Sequence, residues 1–144
     1  MYRSMWVLLI LFIGGCSYPS MHSKVMSSIE KQDLKQLTRS LEEPIDLNFY
    51  YHDGFTPLTY AVKLSCSQCV EVLLQYNLDV NKPQKGGLTA LGWAVFNDDI
   101  ALVKVLVNVG ADKKAKYDTR MSAEELSIKY QRKGIALYLE GIKY

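Results

Sequence analysis

The sequence predicts an all-α solenoid: about four helix-turn-helix units stacked side by side and joined by hairpin-like loops. Three observations predict it. The chain repeats itself with a period of 33 residues. Apolar residues within each period fall at i, i+3 and i+4, the spacing of one buried helix face. Hydroxyl residues and turn formers mark each period where helices should start and stop. The period is read directly by setting Gly54-Phe55-Thr56-Pro57-Leu58 against Gly87-Leu88-Thr89-Ala90-Leu91. It continues through Ala61 and Ala94, Val70 and Val103, and Leu73 and Leu106. Longer series run Ile29, Val62, Val95, Ile128, then Leu37, Val70, Val103, Ala136, then Asp46, Asp79, Asp112. A unit this short cannot bury its apolar face alone, so its neighbours must cover it.

The first segment is expected to be an export signal, not part of the solenoid. Arg3 is followed by the apolar run 6–13, then Gly14, Gly15 and Cys16. That run is shorter than the roughly 20 residues that span a bilayer. Ile13-Gly14-Gly15-Cys16 resembles the lipobox of bacterial lipoproteins. The resemblance implies cleavage after residue 15 and acylation of the Cys16 thiol. Acyl chains bury about 0.8 kcal/mol per CH₂, so three would anchor the chain to a membrane. Ser17 stands where an Asp retains enterobacterial lipoproteins at the inner membrane. This implies the outer membrane of a bacterial cell envelope, facing the periplasm. A buried N-terminal helix or strand and a plain secretory signal are the alternatives. Residues 16–27 are polar and small, and read as the lipidated cysteine and a tether. Met21 or Met26 offers a second start and a minor unlipidated cytoplasmic form; incidental tether methionines are the plainer reading.

Residues 28–48 read as an N-terminal partial repeat. Two full repeats follow at 53–81 and 86–114, and 119–144 reads as a C-terminal cap. Thr56 and Thr89 precede apolar segments as N-caps should, with Pro57 at a first helical position. Val70, Leu73 and Leu74 give the second helix one buried face, as do Val103, Leu106 and Val107. Gly110 follows that helix where a left-handed residue is wanted, and Asn77 holds the equivalent place. Polar stretches 79–87 and 112–120 form the connections.

These residues carry a family resemblance. DGFTPLTYA at 53–61 with VEVLLQYNLDVN at 70–81 resembles the ankyrin repeat, as does GLTALGWA at 87–94 with LVKVLVNVGADKK at 102–114. Thr59 and Gly92 stand where the motif has histidine. Glu124 replaces a core leucine, as suits a terminal unit facing water, and Pro44 occupies a glycine-like exit slot. Ankyrin proteins bind partners through loop tips and first helices. Carried over position by position, the resemblance implies contacts from Tyr50, His52, Asp53 and Phe55 in the first tip. Pro83, Lys85 and Leu88 follow in the second tip, and Arg120 and Met121 in the third. On the first helices the slots are Lys63, Leu64, Phe96 and Asn97. Phe55 and Phe96 are expected to be exposed aromatic anchors; the alternative is that each folds back onto a neighbouring repeat.

Composition excludes several classes. With 17 basic and 15 acidic residues, the net charge of +2 lacks the basic face a nucleic-acid binder needs. Three cysteines are too few for a disulfide-built miniprotein. No nucleophile elbow, phosphate loop or paired-histidine metal motif is present, so neither catalytic nor metal residues are assigned, and no cofactor is expected. His22 falls in the tether, and adjacent carboxylates such as Asp98 and Asp99 read as solvated faces. Cys66-Ser67-Gln68-Cys69 is a C-x-x-C at an interhelical turn. A disulfide and two free thiols remain equally open there, with redox catalysis a weaker reading.

The chain is therefore expected to be a binding module and not an enzyme. Small lipid-anchored ankyrin proteins resemble immunity proteins that neutralise envelope-targeting toxins, such as phospholipase effectors of the type VI secretion system. That resemblance implies a protein partner, a phospholipase-type toxin, and membrane attachment through the lipid alone. The alternatives are an assembly scaffold of the envelope and a periplasmic redox protein using Cys66 and Cys69.

Overall fold

The computed structural model describes residues 20–116 and 121–141. The expected export signal, Cys16, Ser17 and Arg120 lie outside the described residues. Eight helices and no strand are found among the described residues, in the order α1 (Met21–Glu30), α2 (Leu34–Ser40), α3 (Pro57–Lys63), α4 (Ser67–Leu73), α5 (Ala90–Phe96), α6 (Ile100–Asn108), α7 (Ala123–Lys129) and α8 (Lys133–Leu139). They pair in sequence as antiparallel hairpins. First helices stack on first helices, α1 on α3 on α5 on α7, and α2, α4, α6 and α8 form the second row. The all-α solenoid expected from the period is the fold observed.

Local chemistry repeats with the sequence period. Thr56, Thr89 and Ser122, each 33 residues apart, are the N-caps of α3, α5 and α7, and each hydroxyl accepts the N–H three residues on. The second helices start on Asp33, Cys66 and Asp99, each side chain accepting a first-turn N–H. Cys66 thus occupies an aspartate slot, its sulfur 3.3 Å from the Cys69 nitrogen. The turn inside each hairpin carries a left-handed residue at Gln32, Ser65, Asp98 and Gln131, again 33 apart. None is glycine, so each turn holds a conformation that side chains resist. Asp46, Asp79 and Asp112 recur because each carboxylate accepts the N–H two residues on, fixing the start of the next loop. In the first two loops a backbone bond closes the hairpin, Tyr51 N to Phe55 O and Gln84 N to Leu88 O, both 2.9 Å.

Successive loops are also tied together. The Asp79 N–H donates to the Asn48 side chain, and the Asp112 N–H to the Asn81 side chain, both at 2.7 Å. Gly54, at φ 83°, lies so close to Lys85 that a Cβ there would meet the Lys85 Cβ at 2.9 Å. This close approach lets the Lys85 N–H reach the Gly54 carbonyl.

The core is one continuous cluster running between the two rows. Ile29, Val62 and Val95 are fully buried, as are Leu37, Val70 and Val103. The fourth member of the first series departs: Ile128 is 61% exposed, since among the described residues α7 packs on α5 and α8 and no helix covers its other side.

Two expectations need correction. Residues 21–27 are not tether. Ser20 caps α1, and Val25, Met26 and Ile29 are buried in the core, so the first hairpin begins at residue 21 rather than 28. The serines that suggested a linker are accommodated inside the helix: Ser28 is fully buried, its hydroxyl donating to the Lys24 carbonyl at 2.7 Å. Met26 is therefore a core residue, not an incidental one. Asn77 does not take the left-handed conformation expected of it, whereas Gly110 does, at φ 95°.

At the far end Glu125 completes a capping box with Ser122 and pairs with Lys116. The Lys116 hydrogen bond, and then the backbone bond to Ser122, hold its carboxyl below the ordinary range. A depressed folded-state pKa stabilises the fold above the ordinary carboxylate range, and this contribution fades as pH falls through the lowered value. An NMR titration should find the Glu125 carboxyl protonating at lower pH than a free glutamate, and Lys116→Ala should move it back up.

Candidate functional site

The first helices and the loops beside them form one continuous face. Aromatic rings cross it in a chain. Phe55 packs on Tyr60 and on Trp93, with centroids 5.6 and 5.8 Å apart. Trp93 meets Phe96 edge-on at 5.6 Å, and Phe96 meets Tyr130 edge-on at 5.4 Å. The chain begins in the core and ends in solvent: Phe55 is 9% exposed, Phe96 45% and Tyr130 38%. Beside its exposed end lies a cavity of about 220 Å³, lined by Leu88, Gly92, Phe96, Met121, Leu126, Lys129 and Tyr130. Gly92 leaves room there that any side chain would fill, since its Cβ would lie 2.9 Å from Leu88 Cδ2. An apolar notch rimmed by exposed aromatics has the composition of a protein-recognition hot spot.

The sequence-derived contact residues divide on this geometry. Phe96 stands exposed at the notch, and Leu88 and Met121 line it half-buried. Tyr50 is exposed at the first tip, with the ammonium groups of Lys82 and Lys85 over its ring at 4.7 and 5.7 Å. His52 is exposed and leans on Tyr51, and Asp53 is exposed with its carboxylate 3.4 Å from the Phe55 nitrogen. Leu64 and Pro83 are half-buried.

Phe55 is corrected. It is a core residue held between Tyr60 and Trp93, with the Lys63 ammonium lying over its ring at 4.2 Å. A signal in the sequence marked it: positions 55, 88 and 121 are Phe, Leu and Met, all apolar at the repeat period. Asn97 is also corrected. Its amide donates to the carbonyls of Val62 and Lys63 and to the Ser65 hydroxyl, at 3.0–3.2 Å, so it fastens the end of α3 to α5. Asn97→Ala should cost about 0.5–1.5 kcal/mol by removing these bonds, which are only partly shielded from water, and denaturant unfolding would measure it. Trp93, Lys129 and Tyr130 were not foreseen. Their repeat slots held the clue: 60/93/126 for Trp93, 63/96/129 for Lys129 and 64/97/130 for Tyr130.

Cys66 and Cys69 form a disulfide, one of the readings left open. Both residues are buried, Cys69 completely. Among the described residues no group of three metal-ligating side chains converges, and no helix is long and apolar enough to cross a membrane.

The sequence pattern described as ankyrin repeats, in three copies, matches residues 25–117, more than half of the chain. This chain belongs to the ankyrin-repeat family. The ankyrin array is similar to several much longer proteins. It is 29% identical over 100 residues to the ARF GTPase-activating protein Git of Drosophila melanogaster, covering 69% of this chain and 14% of that protein. It is 37% identical over 68 residues to the Neurogenic locus notch homolog protein 1 of Danio rerio, covering 47% of this chain and 3% of that one. A putative ankyrin repeat protein of Rickettsia felis is 26% identical over 95 residues, covering 65% of this chain and 25% of its own length. The chain thus spans a quarter or less of these relatives. Ankyrin repeats bind protein partners, and this ankyrin array is a protein-binding module.

Proposed function

We infer that the chain is a membrane-anchored immunity protein, which binds and neutralises an envelope-targeting toxin of the type VI secretion phospholipase class. The observation that carries this reading is the exposed Phe96–Tyr130 end of the aromatic chain beside its apolar notch. The lipobox-like Ile13–Cys16 segment supplies the address. A toxin that attacks phospholipid works at the membrane surface, where a tethered inhibitor meets it. Inhibition would be stoichiometric, by covering the active-site mouth or blocking membrane docking. The Cys66–Cys69 disulfide suits an oxidising compartment such as the periplasm. Its burial argues against the redox reading, since an exchange partner's thiolate must reach a sulfur.

Affinity capture of the lipidated chain from envelope extract, read by mass spectrometry, tests this. A phospholipase in stoichiometric amount is the expected partner. Recovery of envelope-assembly proteins alone would overturn the immunity reading and favour a scaffold. Anchoring has its own test: Cys16→Ser should leave an unprocessed or mislocalised precursor without acyl label. Normal maturation and membrane fractionation of that variant would remove the lipoprotein reading.

A further inference from the structure

A second cavity, of about 210 Å³, lies at the other end of the same face, between α1, α3 and the first loop. Its walls are Met26, Ser27, Glu30, Tyr51, Asp53 and Tyr60. Two of these are phenol rings and two are carboxylates. Neither carboxylate has an ion-pair partner among the described residues, whose three ion pairs all lie elsewhere. The Lys63 ammonium is not a wall of the cavity; it sits over Phe55 at 4.2 Å and is 5.8 Å from the Tyr60 ring. Tyr51 is steadied by His52 against its ring and by Ser23, whose hydroxyl lies 3.4 Å from its own. The Tyr60 phenol is pushed above its ordinary pKa by burial first, then by Glu30, Asp53 and Tyr51, so the cavity disfavours added negative charge.

We propose that this cavity receives an arginine side chain of the bound protein, its guanidinium stacked on the tyrosine rings and paired with the Glu30 and Asp53 carboxylates. The chemistry on the walls matches that group in each of its parts. Tyrosine faces attract cations. A planar guanidinium stacks on rings and offers a fork of donors to carboxylates, which an ammonium does not. Met26, almost wholly buried, closes the cavity on its core side as an apolar wall. The volume equals about seven waters at about 30 Å³ each, room for such a side chain. The proposal rests on the reading that this face holds a protein, and it adds the charge of the group to be held at the N-terminal end.

The test uses n-butylguanidinium as the probe and n-butylurea as its neutral counterpart, titrated into the ¹⁵N-labelled chain and followed by NMR. Saturable shifts are expected at the amides of residues 51, 53 and 60 with butylguanidinium, and none with butylurea. The double variant Glu30→Gln, Asp53→Asn keeps the side-chain shapes and should bind butylguanidinium at least about tenfold more weakly. Shifts that do not saturate, equal shifts with butylurea, or undiminished binding by the double variant would each overturn the proposal. The Phe96 variant described below tests the face itself. A chain that loses its protein partner on Phe96→Ala but ignores butylguanidinium has the face without the arginine pocket.

Discussion

Leu73→Ala and Leu106→Ala should each lower the unfolding free energy by about 2–5 kcal/mol. Both leucines are completely buried, at matching positions of α4 and α6. Each packs against the first helix of its own hairpin and one second-row neighbour, α2 beside α4 and α8 beside α6, so truncation opens a cavity that these helices can only partly close. For a small array this is a large share of the total stability of about 5–15 kcal/mol. Denaturant unfolding measures it, with Val109→Ala on the exposed end of α6 as the control expected within about 0.5 kcal/mol. Neutral behaviour of both leucine variants would contradict the packing described.

Phe96→Ala should weaken the complex by about 2 kcal/mol or more, as expected for a hot-spot aromatic. That is roughly a thirtyfold rise in dissociation constant. Folding should survive, because the ring is half in solvent and packs only edgewise on Trp93 and Tyr130. Phe55→Ala should do the reverse, losing about 3–5 kcal/mol of stability as buried phenylalanines do. Lys104→Glu, on the exposed side of α6, should leave binding nearly intact. Calorimetry with the partner and a melting curve for each variant separate these outcomes. Wild-type binding by Phe96→Ala, with binding abolished by Lys104→Glu, would place the partner on the second-row side.

The contrast between the two phenylalanines shows how far the sequence could be read. Period and spacing were enough for the solenoid, the caps at Thr56 and Thr89 and the core series, because those depend on one residue type recurring at one interval. Phe96 was rightly taken as exposed, since its equivalents are Lys63 and Lys129, both surface residues. Phe55 was misjudged because its equivalents Leu88 and Met121 were not weighed with it. The first helix was missed for a different reason. Serine-rich composition resembles a linker, and only tertiary contact shows that Ser28 can be buried by bonding its own helix. Asn97 looked like a surface contact, yet its amide is committed to carbonyls that only folding brings near. The left-handed turn residues Gln32, Ser65, Asp98 and Gln131 share a period but no residue type, so no composition rule marks them.

The bonds from Asn48 to Asp79 and from Asn81 to Asp112 are the same joint made twice, with the same atoms at the same distance. A joint that fits its own copy makes the molecule extensible. Duplicating residues 49–81 in place would bring another asparagine and another aspartate into register without a new kind of contact. The length of the gripping surface can thus change in whole steps while its pitch is kept. Such a gene can follow a changing partner by copying what it already has, and needs point mutation only for the rings and charges presented outward.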